Sequence, residues 1–206
     1  SHCPLQKIFV KMIIWISSYP KSGNTYIRSF LASYYYSDNG KFSFDQLLKI
    51  HQFPNMKFSK FKALSKEDAS KNWIFNQNSF FQKESLNLLK THNCLFPYKG
   101  NEFTTGEETS GAIYIVRDPR NVITSLTHHY SLNYDQAFNY MINEDSSLLE
   151  TSYEKDHSNF TFLSSWSNHY KSWKNNSYFK TLFIKYEDIE KKKEETFKKI
   201  ILFVES

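Results

Sequence analysis

The run Met12-Ile-Ile-Trp-Ile-Ser17 is apolar at every position before its closing serine and is rich in β-branched residues. Strict alternation would mark a strand wet on one face, whereas a short continuous run predicts a central parallel strand buried on both. After a turn, Ile27, Phe30, Leu31 and Tyr34 recur at i, i+3, i+4 and i+7, one stripe of an amphipathic helix that begins at Asn24 or Thr25. Further strands are expected at Leu88–His92, Ala112–Arg117 and Thr181–Tyr186, each separated from the next by polar or helical material. Asp118-Pro119 reads as an N-cap with proline in the first turn, and Val122, Leu126 and Tyr130 keep helical spacing behind it. A last helix carries Phe197, Ile200, Ile201 and Val204 on one face. Strands alternating with helices in this way point to an α/β fold around a mostly parallel sheet.

Other segments are less regular. Between Asn39 and Phe81 phenylalanines are interleaved with lysine, serine and asparagine without a clean period, which reads as mixed helix and loop. Asn101–Gly111, with Glu102, Glu107 and Glu108, reads as a polar surface connection, and Glu190–Lys193 as a solvated helix start. The 206 residues suit one domain, placed at 12–206, with Met12 as a candidate start and residues 1–11 as an N-terminal extension.

Composition narrows the function classes. With 40% hydrophobic, 18% aromatic and 23% charged residues the chain can bury a sizeable core, and disorder is excluded. Five glycines and five prolines leave no material for collagen-like or linker-like repeats. The two cysteines, Cys3 and Cys94, make neither a disulfide framework nor a zinc pair, so a reducing, cytoplasmic setting is expected. No apolar run approaches the ~20 residues of a membrane span, and none is expected to cross a bilayer. The net charge of +5 favours an anionic ligand, but only three residues are arginine, and two of these, Arg117 and Arg120, share one short motif. The anion is therefore sought there, as a small ligand and not a nucleic-acid polymer.

Three segments carry candidate chemistry. Tyr19-Pro-Lys-Ser-Gly-Asn-Thr-Tyr26 joins a buried strand to a helix, whose first N–H groups are unsatisfied and can hold a phosphate-like or sulfate-like anion. Gly23 permits close approach, Lys21 adds charge, and Ser22 and Thr25 add hydroxyls. A Walker A loop reads G-x-x-x-x-G-K-S/T, and here the lysine precedes the loop's one glycine, which disfavours an ordinary ATPase. In Ile113-Tyr-Ile-Val-Arg-Asp-Pro-Arg-Asn-Val-Ile-Thr-Ser125, Arg117 ends a strand at the sheet's carboxyl edge and Ser125 follows about two helical turns later, so both can face one phosphate. In Lys90-Thr91-His92 the outer residues share one side of a strand, and histidine can accept a proton near neutral pH. His128 and His129 point different ways on a helix, and no grouping has metal spacing.

Together these segments resemble the sulfotransferases that use 3'-phosphoadenosine 5'-phosphosulfate (PAPS). Trp166-Ser-Asn-His-Tyr-Lys-Ser-Trp173 is similar to that family's W-x-x-H-x-x-S-W helix, and Tyr186-Glu-Asp188 to its Y-E-D strand end, all in the family's order from Met12 onward. The resemblance implies a P-loop-like, three-layer α/β domain with PAPS as co-substrate and no metal. It implies that Ser22, Gly23, Asn24 and Thr25 cradle the 5'-phosphosulfate, that Arg117 and Ser125 hold the 3'-phosphate, and that Tyr26 lies beside adenine. His92 would be the general base, Lys21 would stabilise the leaving phosphate, and Lys90 the transferring sulfuryl group. Longer relatives continue past the position of Ser206 to a basic R-K-G loop over the 3'-phosphate, which this sequence lacks, and Ser167 stands where many carry an aromatic.

The leading expectation is sulfuryl transfer to a hydroxyl or amine of a small-molecule or glycan acceptor. A non-catalytic PAPS-binding module and a P-loop nucleotide kinase are the alternatives. Phe53, Phe58, Phe61, Phe80, Phe81 and Tyr98 fall in segments that would surround the acceptor, although core packing is the expectation for most of them.

Overall fold

The computed structural model describes residues 12–81, 86–149 and 155–206. Residues 1–11, expected to be an N-terminal extension, lie outside these, and Cys3 with them. In chain order the elements are β1 (Met12–Ser18), α1 (Asn24–Tyr36), α2 (Phe44–Leu47), β2 (His51–Gln52), a 3-10 turn (Met56–Phe58), α3 (Lys66–Lys71), α4 (Trp73–Phe80), β3 (Leu86–Thr91) and β4 (Thr109–Val116). They continue with α5 (Pro119–Tyr130), α6 (Tyr134–Ile142), β5 (Ser147–Leu148), β6 (Thr161–Phe162), α7 (Trp166–Lys174), β7 (Lys180–Lys185), α8 (Tyr186–Lys191) and α9 (Lys193–Val204).

The main sheet has the order β2-β3-β1-β4-β7, with every pairing parallel, and β5 and β6 form a small antiparallel ribbon. β1 is covered on both faces, as its unbroken apolar run requires. Ile13 and Trp15 point into an aromatic layer with Phe53, Trp73, Phe103, Tyr114, Phe160 and Trp173. Ile14 and Ile16 point the other way, into an aliphatic layer with Ile27 and Leu31 of α1 and Ile200 and Val204 of α9. A third cluster, Tyr19 with Val122, Leu126, Ala137 and Met141, seats α5 and α6 at the carboxyl edge of the sheet. The result is the P-loop-like three-layer α/β fold that the sequence implies.

Two expectations are corrected. Asn101–Gly111 is not a surface connection: Phe103 is fully buried between Trp15, at 5.0 Å between ring centroids, and Trp73, at 5.5 Å. Glu108 is buried as well, accepting from Thr105 Oγ1 at 2.6 Å and Asn78 Nδ2 at 3.0 Å, which is how a polar segment can run through a core. The sheet also has a fifth strand, β2, within the segment read as helix and loop. It is only two residues long, too short for a period to show, and it is fixed from outside. Arg28 of α1 donates to the carbonyls of Leu47 at 2.6 Å and Ile50 at 2.8 Å, directly before the strand. Of the aromatics expected in the core, Phe53 and Phe81 are buried and Phe58, Phe80 and Tyr98 are partly buried against the aromatic layer, while Phe61 is exposed.

Phe103→Ala removes the ring on which three other aromatics converge and should cost about 3–5 kcal/mol. Chemical denaturation should show a lower midpoint with an unchanged slope, whereas a surface residue would leave the unfolding free energy within ~0.5 kcal/mol.

Candidate functional site

β1 ends at Ser18, and the chain turns through Tyr19–Gly23 into α1. The turn needs two residues in the left-handed region, Gly23 at φ 95° and, without glycine's freedom, Lys21 at φ 65°. What holds it is local and specific. Asn24 Nδ2 donates back to Ile16 O at 2.9 Å, and Arg117 Nη1 donates to Lys21 O at 2.9 Å. Gly23 is required for a second reason: a Cβ there would sit 2.4 Å from the ring of Tyr186, which lies across the loop. α1 therefore starts without a side-chain cap and without an acidic residue in its first turn, so its N-terminal donors and positive dipole end face the cleft above them.

That cleft, about 440 Å³, is lined by Lys21, Gly23, Asn24, Thr25, Gln52, Lys90, His92, Arg117, Ser125, His129, Tyr130 and Tyr186, among others. The ends of β1, β3 and β4 deliver Lys21, His92 and Arg117, and β2, α5 and the start of α8 add Gln52, Ser125 and Tyr186. Three permanent cations, Lys21, Lys90 and Arg117, border it, and none of its described lining residues is a carboxylate. Two acids that adjoin lining residues in sequence are turned elsewhere: Asp118 binds the Arg120 side chain, and Glu187 accepts from the Asp118 N–H at 3.4 Å. Arg117 lies over the Tyr186 ring at 4.4 Å, which fixes its plane without neutralising it. A larger apolar groove of about 800 Å³ lies between α5, α6 and α7, but no cations converge on it apart from the paired Arg120.

His92 follows β3 directly. Its Nδ1 lies 2.7 Å from Ser18 O, and because a carbonyl only accepts, Nδ1 carries the proton. Burial, and then the ammonium of Lys90, hold the imidazole neutral far below its ordinary titration range. In that tautomer Nε2 is the unprotonated nitrogen.

The backbone behind His92 is held by one face of α7. His169 Nε2 donates to His92 O at 2.9 Å, Ser172 Oγ accepts from Leu95 N at 3.0 Å, and Trp173 Nε1 donates to Asn93 O at 3.1 Å. Tyr114 Oη is 2.8 Å from His169 Nδ1, so the buried imidazole accepts there and both its nitrogens are satisfied as a neutral ring. Burial lowers its pKa to about 4. Sequence reasoning picked out this helix but gave its residues no task. The signal was their spacing of i, i+3 and i+4, which puts them on one face.

The structure thus brings Lys21, Gly23, Asn24, Thr25, Lys90, His92, Arg117 and Ser125 to one cleft. Ser22 is adjacent but turned inward, 1% exposed, with a hydroxyl that has no partner among the described residues. Tyr26 is not on the cleft lining: its ring stacks on Phe197 of α9 at 6.0 Å, beneath Lys193 at 5.7 Å. Gln52, His129, Tyr130 and Tyr186 join the cleft without having been assigned to it from sequence. Among the described residues no three histidine, cysteine or acidic side chains form a metal-binding group, and no helix is long and apolar enough to cross a membrane.

Comparison with known proteins gives two findings. Residues 12–206 match the model of the sulfotransferase domain family. The fold is similar to that in the crystal structure of mouse sulfotransferase SULT7A1 complexed with PAP, with a TM-score of 0.55 and 19% sequence identity. The match covers 94% of this chain and 57% of the mouse chain, so this chain spans little more than half the length of that relative.

The buried His169 makes acid stability a direct test of this arrangement. Below pH ~6.5 an unfolded histidine takes up a proton that the folded ring refuses until about pH 4, so stability falls as pH drops through that interval. His169→Gln can keep both hydrogen bonds but cannot titrate. Its unfolding free energy should fall less steeply than wild type between pH 6.5 and 4.5, by up to about 1.4 kcal/mol per pH unit. Parallel slopes would mean that His169 titrates normally.

Proposed function

The chain belongs to the sulfotransferase domain family, and on that premise we propose that it transfers the sulfuryl group of PAPS to a hydroxyl or amine acceptor. The observation that carries this reading is the convergence of three cations and an uncapped helix N-terminus, without a lining carboxylate among the described residues, on a cleft that also holds a neutral histidine.

The residues present fit such a co-substrate. Arg117 has a buried Nε with no partner among the described residues, and its guanidinium edges the cleft beside Ser125 on the first turns of α5. A fork of fixed donors suits a phosphate dianion, each charge-assisted bond being worth roughly 1.5–3 kcal/mol. Ser22, Gly23, Asn24 and Thr25 would hold the 5'-phosphosulfate on the α1 N-terminus, with Tyr186 across the loop. When bound, PAPS would supply the activated sulfuryl group, whose S–O bond to phosphate breaks as a bond forms from sulfur to the acceptor's oxygen or nitrogen. His92 Nε2 would take the acceptor's proton, Lys90 would face the sulfuryl oxygens, and Lys21 would stabilise the charge left on the phosphate. Fixed positive charge and positioning suffice for such a transfer, by analogy with phosphoryl transfer. Tyr26 would contribute to the adenine site from outside the cleft.

Calorimetry with the product, 3'-phosphoadenosine 5'-phosphate (PAP), against AMP tests the nucleotide half. PAP should bind at least ~10-fold more tightly, about 1.4 kcal/mol, and Arg117→Ala should remove most of that difference. Equal affinities in the wild-type protein would overturn the reading.

The acceptor half is tested at His92. His92→Ala should lower turnover by ~10²-fold or more and leave PAP affinity within about twofold. Because the imidazole is neutral well below its ordinary range, the acid limb of kcat/KM should lie well below pH 6.5 and vanish in the variant. An alanine variant that keeps both turnover and limb would reduce His92 to a packed residue.

A further inference from the structure

The cleft contains a neutral side chain that accepts directly from one of its cations. In the parallel register Gln52 of β2 is opposite Lys90 of β3, and Phe53 N donates to Lys90 O at 2.9 Å, so the two backbones are locked at this point. The Lys90 ammonium donates to Gln52 Oε1 at 3.1 Å, and both residues line the cleft. β2 itself is immobilised from behind, by Arg28 on the Leu47 and Ile50 carbonyls and by the full burial of Ile50 and Phe53 on either side of it.

We propose that Gln52 is a positioning residue for sulfuryl transfer, aiming the Lys90 ammonium into the cleft through its side-chain carbonyl while adding no negative charge there. The inference rests on the reading of Lys90 as the cation that faces the sulfuryl group. Lysine carries its charge on a flexible four-carbon stem with three rotatable donors, so its direction must be set by an acceptor. A carboxylate would bind the ammonium more tightly, but it would cancel the field that the cleft is built to supply. A carboxamide oxygen takes one N–H and leaves the charge intact.

The same choice protects the proton acceptor. The titratable groups that face His92 are Lys90 from β3, Lys21 from the loop after β1 and His169 from α7, and the two lysines both favour a neutral imidazole. An acid at position 52 would stand beside Lys90 and oppose that influence. The neutrality of Gln52 and the neutrality of His92 are thus one design.

Two isosteric variants separate aim from charge. Gln52→Met keeps the length and removes the acceptor, and Gln52→Glu keeps the acceptor and adds charge. In wild type, NMR relaxation of the Lys90 ζ-nitrogen should report an ordered ammonium, and Gln52→Met should lower its order parameter while PAP affinity stays within about twofold. Gln52→Glu should keep Lys90 ordered, raise the His92 titration by about a pH unit, and weaken PAP binding at least threefold. Thermal midpoints close to wild type certify the fold of each variant. Unchanged Lys90 order in Gln52→Met, or an unchanged His92 titration in Gln52→Glu, would overturn the proposal. If wild-type protein instead fails to prefer PAP over AMP, the nucleotide reading falls, and the two NMR measurements still decide whether Gln52 aims Lys90.

Discussion

Parallel pairing of β1 with β3 on one side and β4 on the other is the constraint from which the cleft follows. The registers set Ser17 beside Thr91 and Ser18 beside Ile115, so three strands finish at nearly the same height. Each then hands over a different group: the loop before α1, the His92 imidazole and the Arg117 guanidinium. Because β1 is apolar on both faces and sealed between an aromatic and an aliphatic layer, it cannot slip by one residue without exchanging Trp15 and Ile16 between layers of unlike shape. The precision of the site is borrowed from the packing beneath it.

The cost of the arrangement is electrostatic and conformational. Three like charges around one cleft repel, and Lys21 sits in a backbone region that costs a non-glycine residue of order 1–3 kcal/mol. Neutral neighbours help to meet both costs. Arg117 donates to the strained Lys21 carbonyl and rests on the Tyr186 face, Asn24 ties the turn back to β1, and Gln52 receives Lys90. Such contacts stabilise cations while leaving their field available to an anion, which a salt bridge would not.

The legible part of the site is the part carried by contiguous residues. The strand-turn-helix from Met12 to Tyr36 could be read because its apolar run, its Gly23 and its 3.6-residue stripe are adjacent in the chain, and Arg117 with Asp118-Pro119 because a strand end and a helix cap touch in sequence. What stayed hidden depends on distant partners. Phe103 looks like a loop residue until Trp15 and Trp73, far away in sequence, close on it. β2 has no periodicity in two residues. Tyr26 carries its ring off the cleft lining and onto Phe197 of α9, a contact that its neighbours in sequence do not announce. The orientation of Ser22 is hidden in a related way, since the turn that exposes Gly23 points the preceding hydroxyl inward.

The functional groups divide by their origin. The groups proposed to hold the anion come from the β1 loop and the β4–α5 junction, whereas Lys90 and His92 come from β3, whose end is held by α7 through His169, Ser172 and Trp173 and whose flank is held by Gln52. His92 bridges the two sets, since its Nδ1–H is bound to Ser18 at the end of β1. That single hydrogen bond does two things at once. It fixes the ring relative to the anion loop, and it consumes the one proton a neutral imidazole carries, leaving Nε2 as the acceptor. Losing the Ser18 contact would therefore disturb tautomer and distance together, and because the anchor is a backbone carbonyl of β1 and not a side chain that could itself titrate, the arrangement holds across pH.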